Sequence, residues 1–333
     1  MGTKEKHMKA TTKKTTRRRA VKATMKAVRF HEYGGPEVLV YEDAPRPQAG
    51  AGEVLVRVHA AGVNPIDWKL REGYLKKFLD LPLPVIPGRD FSGIVEAVGP
   101  GAAGFKAGDE VYGRVDTPHN GTYAEYVAVP ESQAALKPSS VDHVHAAAIP
   151  LASLAAWQAL FDSAQLTSGQ KALIHAAAGG VGSFAVQLAK WKGAYVIGTA
   201  SRRNENFVRM LGADEVIDYE TTRFEDVVHD VDVVLDTIGG DTQKRSWQVL
   251  RKGGILVSLV SPPSKEEADA HGARLAYFST KTIASELAEI AALVDSGRLK
   301  AHVETILPLA EARHAHELSQ AGHARGKIVL RVV

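Results

Sequence analysis

Two hydrophobic rhythms divide the chain. From Met25 to about residue 149, apolar and polar residues alternate over short stretches, as in Glu53-Val54-Leu55-Val56-Arg57-Val58 and Phe91-Ser92-Gly93-Ile94-Val95-Glu96-Ala97-Val98. A period of two predicts half-buried strands, and Gly99-Pro100-Gly101 and Gly108-Asp109 supply close turns between them. From Pro150 the texture changes. Helix 151–162, strand 172–175, helix 181–191, strand 195–199, helix 204–211 and strand 215–217 follow one another, and later strands fit 231–235 and 255–259. Such alternation predicts a parallel, doubly wound sheet. Two more helices, at 283–296 and 309–321, lead to a terminal strand at 327–332 that is free to pair with the first half.

Composition sharpens this picture. At 333 residues the chain is long for a single core, and 45% hydrophobic with 24% charged residues is ordinary globular usage. No apolar run approaches the roughly 18 to 20 residues of a membrane span, so no membrane partner is expected. Cysteine is absent. That excludes disulfides, a thiol nucleophile and thiolate metal sites, and it suits a reducing compartment, so the expected localisation is cytoplasmic.

The net charge of +3 is misleading, because residues 1–24 hold nine Lys or Arg against Glu5 alone. This tail carries +8 and leaves the remaining chain at −5. Like-charge blocks are usually solvated and disordered, which is the expectation for 1–24. The run Arg17-Arg18-Arg19 lacks the apolar segment of a secretory signal, and Met25 offers a second start.

The strongest chemical signal is Lys171-Ala172-Leu173-Ile174-His175-Ala176-Ala177-Ala178-Gly179-Gly180-Val181-Gly182. Read as a dinucleotide fingerprint, it puts Ala177 at the first glycine position and Gly179 and Gly182 at the second and third. A bare Gly179 lets backbone approach a pyrophosphate, and the following helix N-terminus offers free N–H groups and a positive dipole. Apolar residues at Val181, Phe184, Ala185, Leu188 and Ala189 give that helix one face for the sheet. A turn of purely structural use is the competing reading; the strand before and the helix after favour the cofactor. The candidate cradle is Ala178, Gly179, Gly180, Val181 and Gly182.

About 20 residues further on, an NAD enzyme places an acid for the ribose hydroxyl. Here stand Thr199-Ala200-Ser201-Arg202-Arg203-Asn204. Ser201 with Arg202 or Arg203 suits a 2′-phosphate, so NADPH is the expected cofactor. Two solvated arginines at a helix start are the alternative.

The sequence is similar to the medium-chain dehydrogenase/reductase superfamily, in its zinc-free, NADPH-dependent quinone oxidoreductase-like branch. The likeness spans Met25 to Val333 and rests on several stretches in order. They are Met25-Lys26-Ala27, Tyr33-Gly34-Gly35-Pro36-Glu37-Val38-Leu39, Gly62-Val63-Asn64-Pro65-Ile66-Asp67, Pro87-Gly88-Arg89-Asp90-Phe91-Ser92-Gly93, Gly108-Asp109-Glu110-Val111-Tyr112-Gly113, Ala178-Gly179-Gly180-Val181-Gly182 and Gly326-Lys327-Ile328-Val329-Leu330.

The resemblance implies an α/β fold: a GroES-like β-rich catalytic domain built from 25–149 and 273–333, with a Rossmann domain inserted at 150–272. It implies a substrate cleft between them and a homodimer formed through the edge of the nucleotide-binding sheet. Zinc-dependent relatives hold metal with a Cys, a His and further ligands. Asn64 occupies the Cys position, Gly88-Arg89-Asp90 the Gly-His-Glu position, and the four-cysteine lobe has no counterpart. No metal ligands are therefore expected. The His143/His145 and His314/His316 pairs fall in helices or their flanks, where residues two apart do not share a face.

Asn64 and Asp67 are the candidate catalytic residues, with a loop-capping role the alternative for Asp67. Tyr219 resembles a residue near the adenosine phosphate, Ser261 follows the fifth strand where the nicotinamide end rests, and Lys327 is expected to close over the cofactor. Each has a turn or surface role as its alternative. Ala155 stands where the family commonly has Thr, which removes a hydroxyl near the nicotinamide.

The expected function is NADPH-dependent hydride transfer to a quinone or an α,β-unsaturated carbonyl such as an enone or enal, without metal. Such acceptors delocalise the arriving charge onto oxygen, which leaves the protein mainly orientation and electrostatics to supply. One alternative is a stand-alone enoyl-thioester reductase. Another is a non-catalytic NADPH-binding or RNA-binding protein, to which the basic tail lends support; nucleic acid is otherwise not an expected partner.

Overall fold

The computed structural model of the protein describes residue 2 and residues 24–79, 81–116 and 121–333. The expectations about the basic tail lie outside these residues. The alternating first half forms antiparallel sheet. β1 (Thr24–Phe30) and β2 (Leu39–Pro45) make a hairpin, and β3 (Glu53–Val63) runs on to α1 (Pro65–Arg71). Four strands follow: β4 (Asp90–Val98), β5 (Glu110–Arg114), β6 (Tyr126–Pro130) and β7 (Ala134–Leu136). β3 is the spine of this sheet, with β4 along one side and β6 on its first half. The valines Val54, Val56 and Val58 of β3 are fully buried beside Phe91, Val111 and Val129, which is what the period of two requires.

Short α2 (His143–Ala147) leads to α3 (Pro150–Trp157), which continues as a π-helical turn over Gln158–Ser163. The doubly wound part then appears as predicted. Its elements are β8 (Lys171–Ile174), α4 (Gly180–Trp191), β9 (Tyr195–Ala200), α5 (Glu205–Met210), β10 (Glu215–Asp218), β11 (Val231–Asp236), α6 (Gly240–Ser246), β12 (Leu250–Ser258), α7 (Lys265–Ala270) and β13 (Arg274–Tyr277). All six strands are parallel, in the order β10-β9-β8-β11-β12-β13. This is the Rossmann arrangement, and the order reverses between β8 and β11, where such sheets bind nucleotides. α4 buries Phe184, Ala185, Leu188 and Ala189. Fully burying Phe184 alone contributes about 2 to 3 kcal/mol. Gly193, with φ of 87°, then takes the left-handed position that ends the helix.

The chain closes with α8 (Ala284–Asp295), β14 (Val303–Pro308), α9 (Ala312–Ala321) and β15 (Lys327–Arg331). The expected boundary at residue 272 comes too early. β13 joins β12 in the nucleotide-binding sheet, and Leu287, Ile290, Leu293, Val294 and Leu299 pack into the same core as Phe184 and Leu188. In β13 Arg274, Leu275 and Tyr277 are all exposed, so an edge strand of this kind carries no alternation to announce it. Only β14 and β15 return to the first sheet.

β15 pairs antiparallel with β3, Ile328 opposite Val63, while Asp90 of β4 lies opposite Gly62. The two pairings bring residues 64, 90 and 327 to one end of β3. Gly62 makes this possible: a Cβ there would stand 2.3 Å from the Ala147 carbonyl oxygen and 3.0 Å from the Asp90 Cβ.

α1 begins at this same end. Pro65 takes its first position, where a missing N–H costs nothing. Three residues after Asn64, the Asp67 carboxylate accepts the Asn64 backbone N–H at 2.8 Å, the reach-back half of a capping box. Arg71, fully buried, ties the far end of α1 to α9 through His316 Nδ1 at 3.2 Å and Gln320 Oε1 at 3.0 Å. His316 is thus a packing residue, and its partner in sequence, His314, pairs with Glu317 at the surface.

Burial raises the Asp67 carboxyl from its ordinary 3.8 to about 7 against the lowering effect of its bond to the Asn64 backbone. The folded protein therefore holds this proton between about pH 4 and 7 while the unfolded chain releases it. The associated stability is complete below pH 4 and is lost as pH rises toward 7, by roughly 4 kcal/mol at most. The Asp67→Asn variant, which has no proton to lose, should show a shallower decline of unfolding temperature between pH 4 and 7. Superimposable profiles would refute the shift.

Candidate functional site at the seam of the two sheets

The predicted cradle is a tight turn between β8 and α4. Ala176 sits at φ 49°, a left-handed conformation unusual for alanine, and the Gly179 N–H closes the turn on its carbonyl at 2.9 Å. Gly182 is obligatory, because a Cβ there would stand 2.2 Å from the Ala176 oxygen. At Gly179 an added Cβ would meet just one atom, the Ala176 oxygen at 3.3 Å, so this side of the turn is open for a phosphate to approach backbone. Helix geometry leaves the N–H groups of Gly180, Val181 and Gly182 without intrahelical acceptors. The chain thus fits a dinucleotide pyrophosphate: donors are present, uncommitted to the helix, and at the positive end of α4.

The other cofactor candidates gather on the same edge of the sheet. Ser201, Arg202 and Arg203 follow β9, Tyr219 follows β10, and Ser261 lies three residues beyond β12. The two arginines differ. Both are exposed, but Arg203 donates to the His323 carbonyl at 3.0 Å, so it clasps the loop before β15, whereas the Arg202 guanidinium makes no hydrogen bond among the described residues. Tyr219 hydrogen-bonds the Ala200 carbonyl through its N–H and leaves its ring exposed. Ser261 is held by Gln243, whose amide also bonds Asp236 and Ser258.

Lys327 departs from its expected place. Its stem runs beside the cradle, where a Cβ on Gly180 would stand 3.2 Å from Lys327 Cδ, but its ammonium turns away toward the end of β3. There Nζ donates to the Val63 carbonyl at 3.0 Å and to Asn64 Oδ1, with Asp90 Oδ2 3.7 Å away. Asn64 Nδ2 in turn donates to Asp90 Oδ2 at 2.9 Å, and the other Asp90 oxygen accepts the Leu151 N–H at the start of α3. Burial pushes Lys327 below and Asp90 above their ordinary ranges, and the charge of each partner opposes the shift. Asp67 is held by Asn64 and by the Tyr123 hydroxyl at 3.1 Å. Both its bonds are internal, which is the capping role.

Two neighbours of this cluster carry no periodic signal. Tyr123 is buried in an irregular stretch, and Asp90, which the resemblance puts at the acid of the Gly-His-Glu position, opens β4 just ahead of the alternating residues. Its proximity to Asn64 follows from strand register.

The donor set does not suit zinc. An amide oxygen and a carboxylate already face an ammonium, and Arg89 beside them points its guanidinium at the Val115 carbonyl, 3.3 Å away. Among the described residues no three His, Cys, Asp or Glu converge as metal ligands. His143 and His145 each pair with an acid of their own, Glu110 and Asp142.

Residues 50–139 match the family described as Alcohol dehydrogenase GroES-like domain, and residues 211–330 that described as Zinc-binding dehydrogenase. The chain is 37% identical to the NADPH-dependent alkenal/one oxidoreductase, chloroplastic, of Arabidopsis thaliana, over 92% of this chain and 79% of that protein. Its fold superposes on the quinone oxidoreductase from Coxiella burnetii with a TM-score of 0.86 at 37% identity, covering 93% of this chain and all (100%) of the other. A mycobacterial protein solved in complex with NADPH gives 0.83 at 32% identity, over 92% of this chain and 100% of that one. On both sequence and fold, this chain belongs to the medium-chain dehydrogenase/reductase superfamily, in its quinone oxidoreductase-like branch.

Proposed function

We propose that the protein is an NADPH-dependent oxidoreductase that reduces a quinone or an α,β-unsaturated carbonyl compound, with Asn64 at the reacting end of the cleft. The observation that carries this reading is the juxtaposition of an open phosphate cradle at 178–182 with a buried polar cluster that lacks a metal donor set. Relatives named for alkenal/one and quinone reduction, one structure among them solved with NADPH, support it.

When bound, the cofactor supplies a hydride. The chain's own share is to grip and to orient. Backbone N–H groups of the cradle hold the pyrophosphate, Arg202 with Ser201 meets the 2′-phosphate, and Tyr219 and Ser261 line the adenosine and nicotinamide ends. Lys327 spans from the cradle to Asn64. Asp67 serves by capping α1 and so fixing where Asn64 stands. An acceptor that spreads charge onto its oxygen needs hydrogen-bond donors rather than a Lewis acid, which is what an amide in this position offers.

Among the described residues no helix is long and apolar enough to cross a membrane. A cytoplasmic location is our reading, on a chain without cysteine. For assembly we infer a homodimer through β13, an edge strand whose Leu275 and Tyr277 are 37% and 50% exposed.

The function is tested by following NADPH oxidation over quinones, enones, enals and enoyl thioesters. Turnover is expected with the first three classes; tight NADPH binding without any turnover would favour a non-catalytic role, and turnover of thioesters alone a different enzyme. Arg202→Ala should weaken NADPH about 10- to 100-fold and leave NADH unchanged, the loss of one charge-assisted contact. Arg203→Ala should do less, since that guanidinium is tied to His323; equal weakening of both cofactors would refute the phosphate assignment. Light scattering should give twice the 35.7 kDa chain mass, and Leu275→Asp on β13 should shift it toward the monomer; a monomeric wild type would overturn the dimer.

A further inference from the structure

An ammonium ion stands among the residues that occupy the ligand positions of zinc-dependent relatives. Asn64 holds the Cys position and Asp90 the acid of the Gly-His-Glu position, and both side chains face Lys327 Nζ. The residues come from three separated parts of the chain and meet through the pairing of β3 with β4 and β15. We propose that Lys327 is the fixed cation that takes the place of the metal, a positioning residue that orients the Asn64 amide so that one of its N–H groups is left for the substrate's carbonyl oxygen. This rests on the reading of Asn64 given above and adds to it the residue that sets its donor.

Hydrogen-bonding capacity fixes the orientation of the amide. An ammonium has three donors and no acceptor: here two of them meet the Val63 carbonyl and Asn64 Oδ1, and the charge faces Asp90 Oδ2 at 3.7 Å. Because it can only donate, the amide must turn its oxygen to Lys327 and its nitrogen to Asp90. The reversed amide would set N–H groups against the ammonium and an oxygen against the carboxylate, which is unfavourable twice. With the orientation fixed, one Nδ2 proton goes to Asp90 at 2.9 Å. The second has just the Gly62 carbonyl at 3.5 Å, too long for a strong bond, so it remains available. Donation from Lys327 to Oδ1 also polarises the amide and strengthens its N–H groups as donors.

Lys327 itself is buried against three protein oxygens and does not touch substrate. It forms no covalent bond and gives up no proton; its charge acts through Asn64. The same side chain lies along Gly180, and the preceding Gly326 N–H bonds the Ala178 carbonyl at 2.8 Å. The donor is thereby indexed to the cofactor cradle.

The test is a double-mutant cycle in the full chain, read by steady-state kinetics on an enone, NADPH binding by fluorescence, and thermal unfolding. Lys327→Met should lower kcat about 100-fold, the cost of one oxyanion donor, and leave the enone KM and the NADPH Kd within about threefold. Asn64→Ala should lower kcat comparably, and the double variant no further than Asn64→Ala alone. Lys327→Met leaves the buried Asp90 carboxylate unpaired, so Lys327→Met with Asp90→Asn is made alongside; it removes both charges and should fold while still losing kcat. Near wild-type kcat in a folded Lys327 variant, or losses that multiply in the double variant, would overturn the proposal. A wild type inactive on every acceptor would instead overturn the functional reading on which it rests.

Discussion

A buried ammonium has to be surrounded by acceptors, because leaving it bare in a low-dielectric interior would cost several kcal/mol. In this molecule that requirement falls on Lys327, and meeting it draws together the end of β3, the start of β4 and the start of α3. The Val63 carbonyl, Asn64 and Asp90 satisfy the ammonium, and Asp90 is satisfied in turn by Leu151. Close packing at Gly62, which has no room for a side chain beside the Ala147 carbonyl, allows the approach. This end of β3 is therefore held by a polar network with little freedom to rearrange.

The cofactor edge is built on the opposite principle. There the backbone supplies donors, and glycine or strained alanine keeps them uncovered. Ala176 is held at positive φ by bonds on both sides, from its own N–H to the Thr199 hydroxyl and from its carbonyl to Gly179. Thr199 is shared with His175, whose other nitrogen meets Ser246, and burial pushes that imidazole down to about 4, so it stays neutral. The loop before β15 crosses to this edge, clasped by Arg203 and by the Gly326 bond to Ala178. Cradle and cluster are thus parts of one arrangement, joined by the stem of Lys327.

Much of this was legible in the residues. Alternation located β3 and β4, apolar spacing located α4, and the turn from Ala176 to Gly182 was recognisable because strand, glycines and helix follow one another locally. β13 and the extent of the nucleotide-binding core were not legible, since an exposed edge strand and a helix shared between domains leave no distinct rhythm. The roles of Asp67, Arg203 and Lys327 were open for a related reason. A carboxylate three residues after Asn64, an arginine at a helix start and a lysine opening a strand each fit several environments.

By itself, the sequence determined those features that depend on neighbours along the chain: strand and helix periods, the glycine turn between β8 and α4, the missing cysteines and the missing acid after β9. Backbone geometry and side-chain chemistry act there over a few residues, so local order suffices. Tertiary structure decided which of two exposed arginines has its guanidinium engaged, that the Tyr123 hydroxyl reaches Asp67, and that Lys327 turns its charge toward Asn64. The last depends on strand register between residues more than 200 positions apart, where a shift of one place would point every side chain the other way.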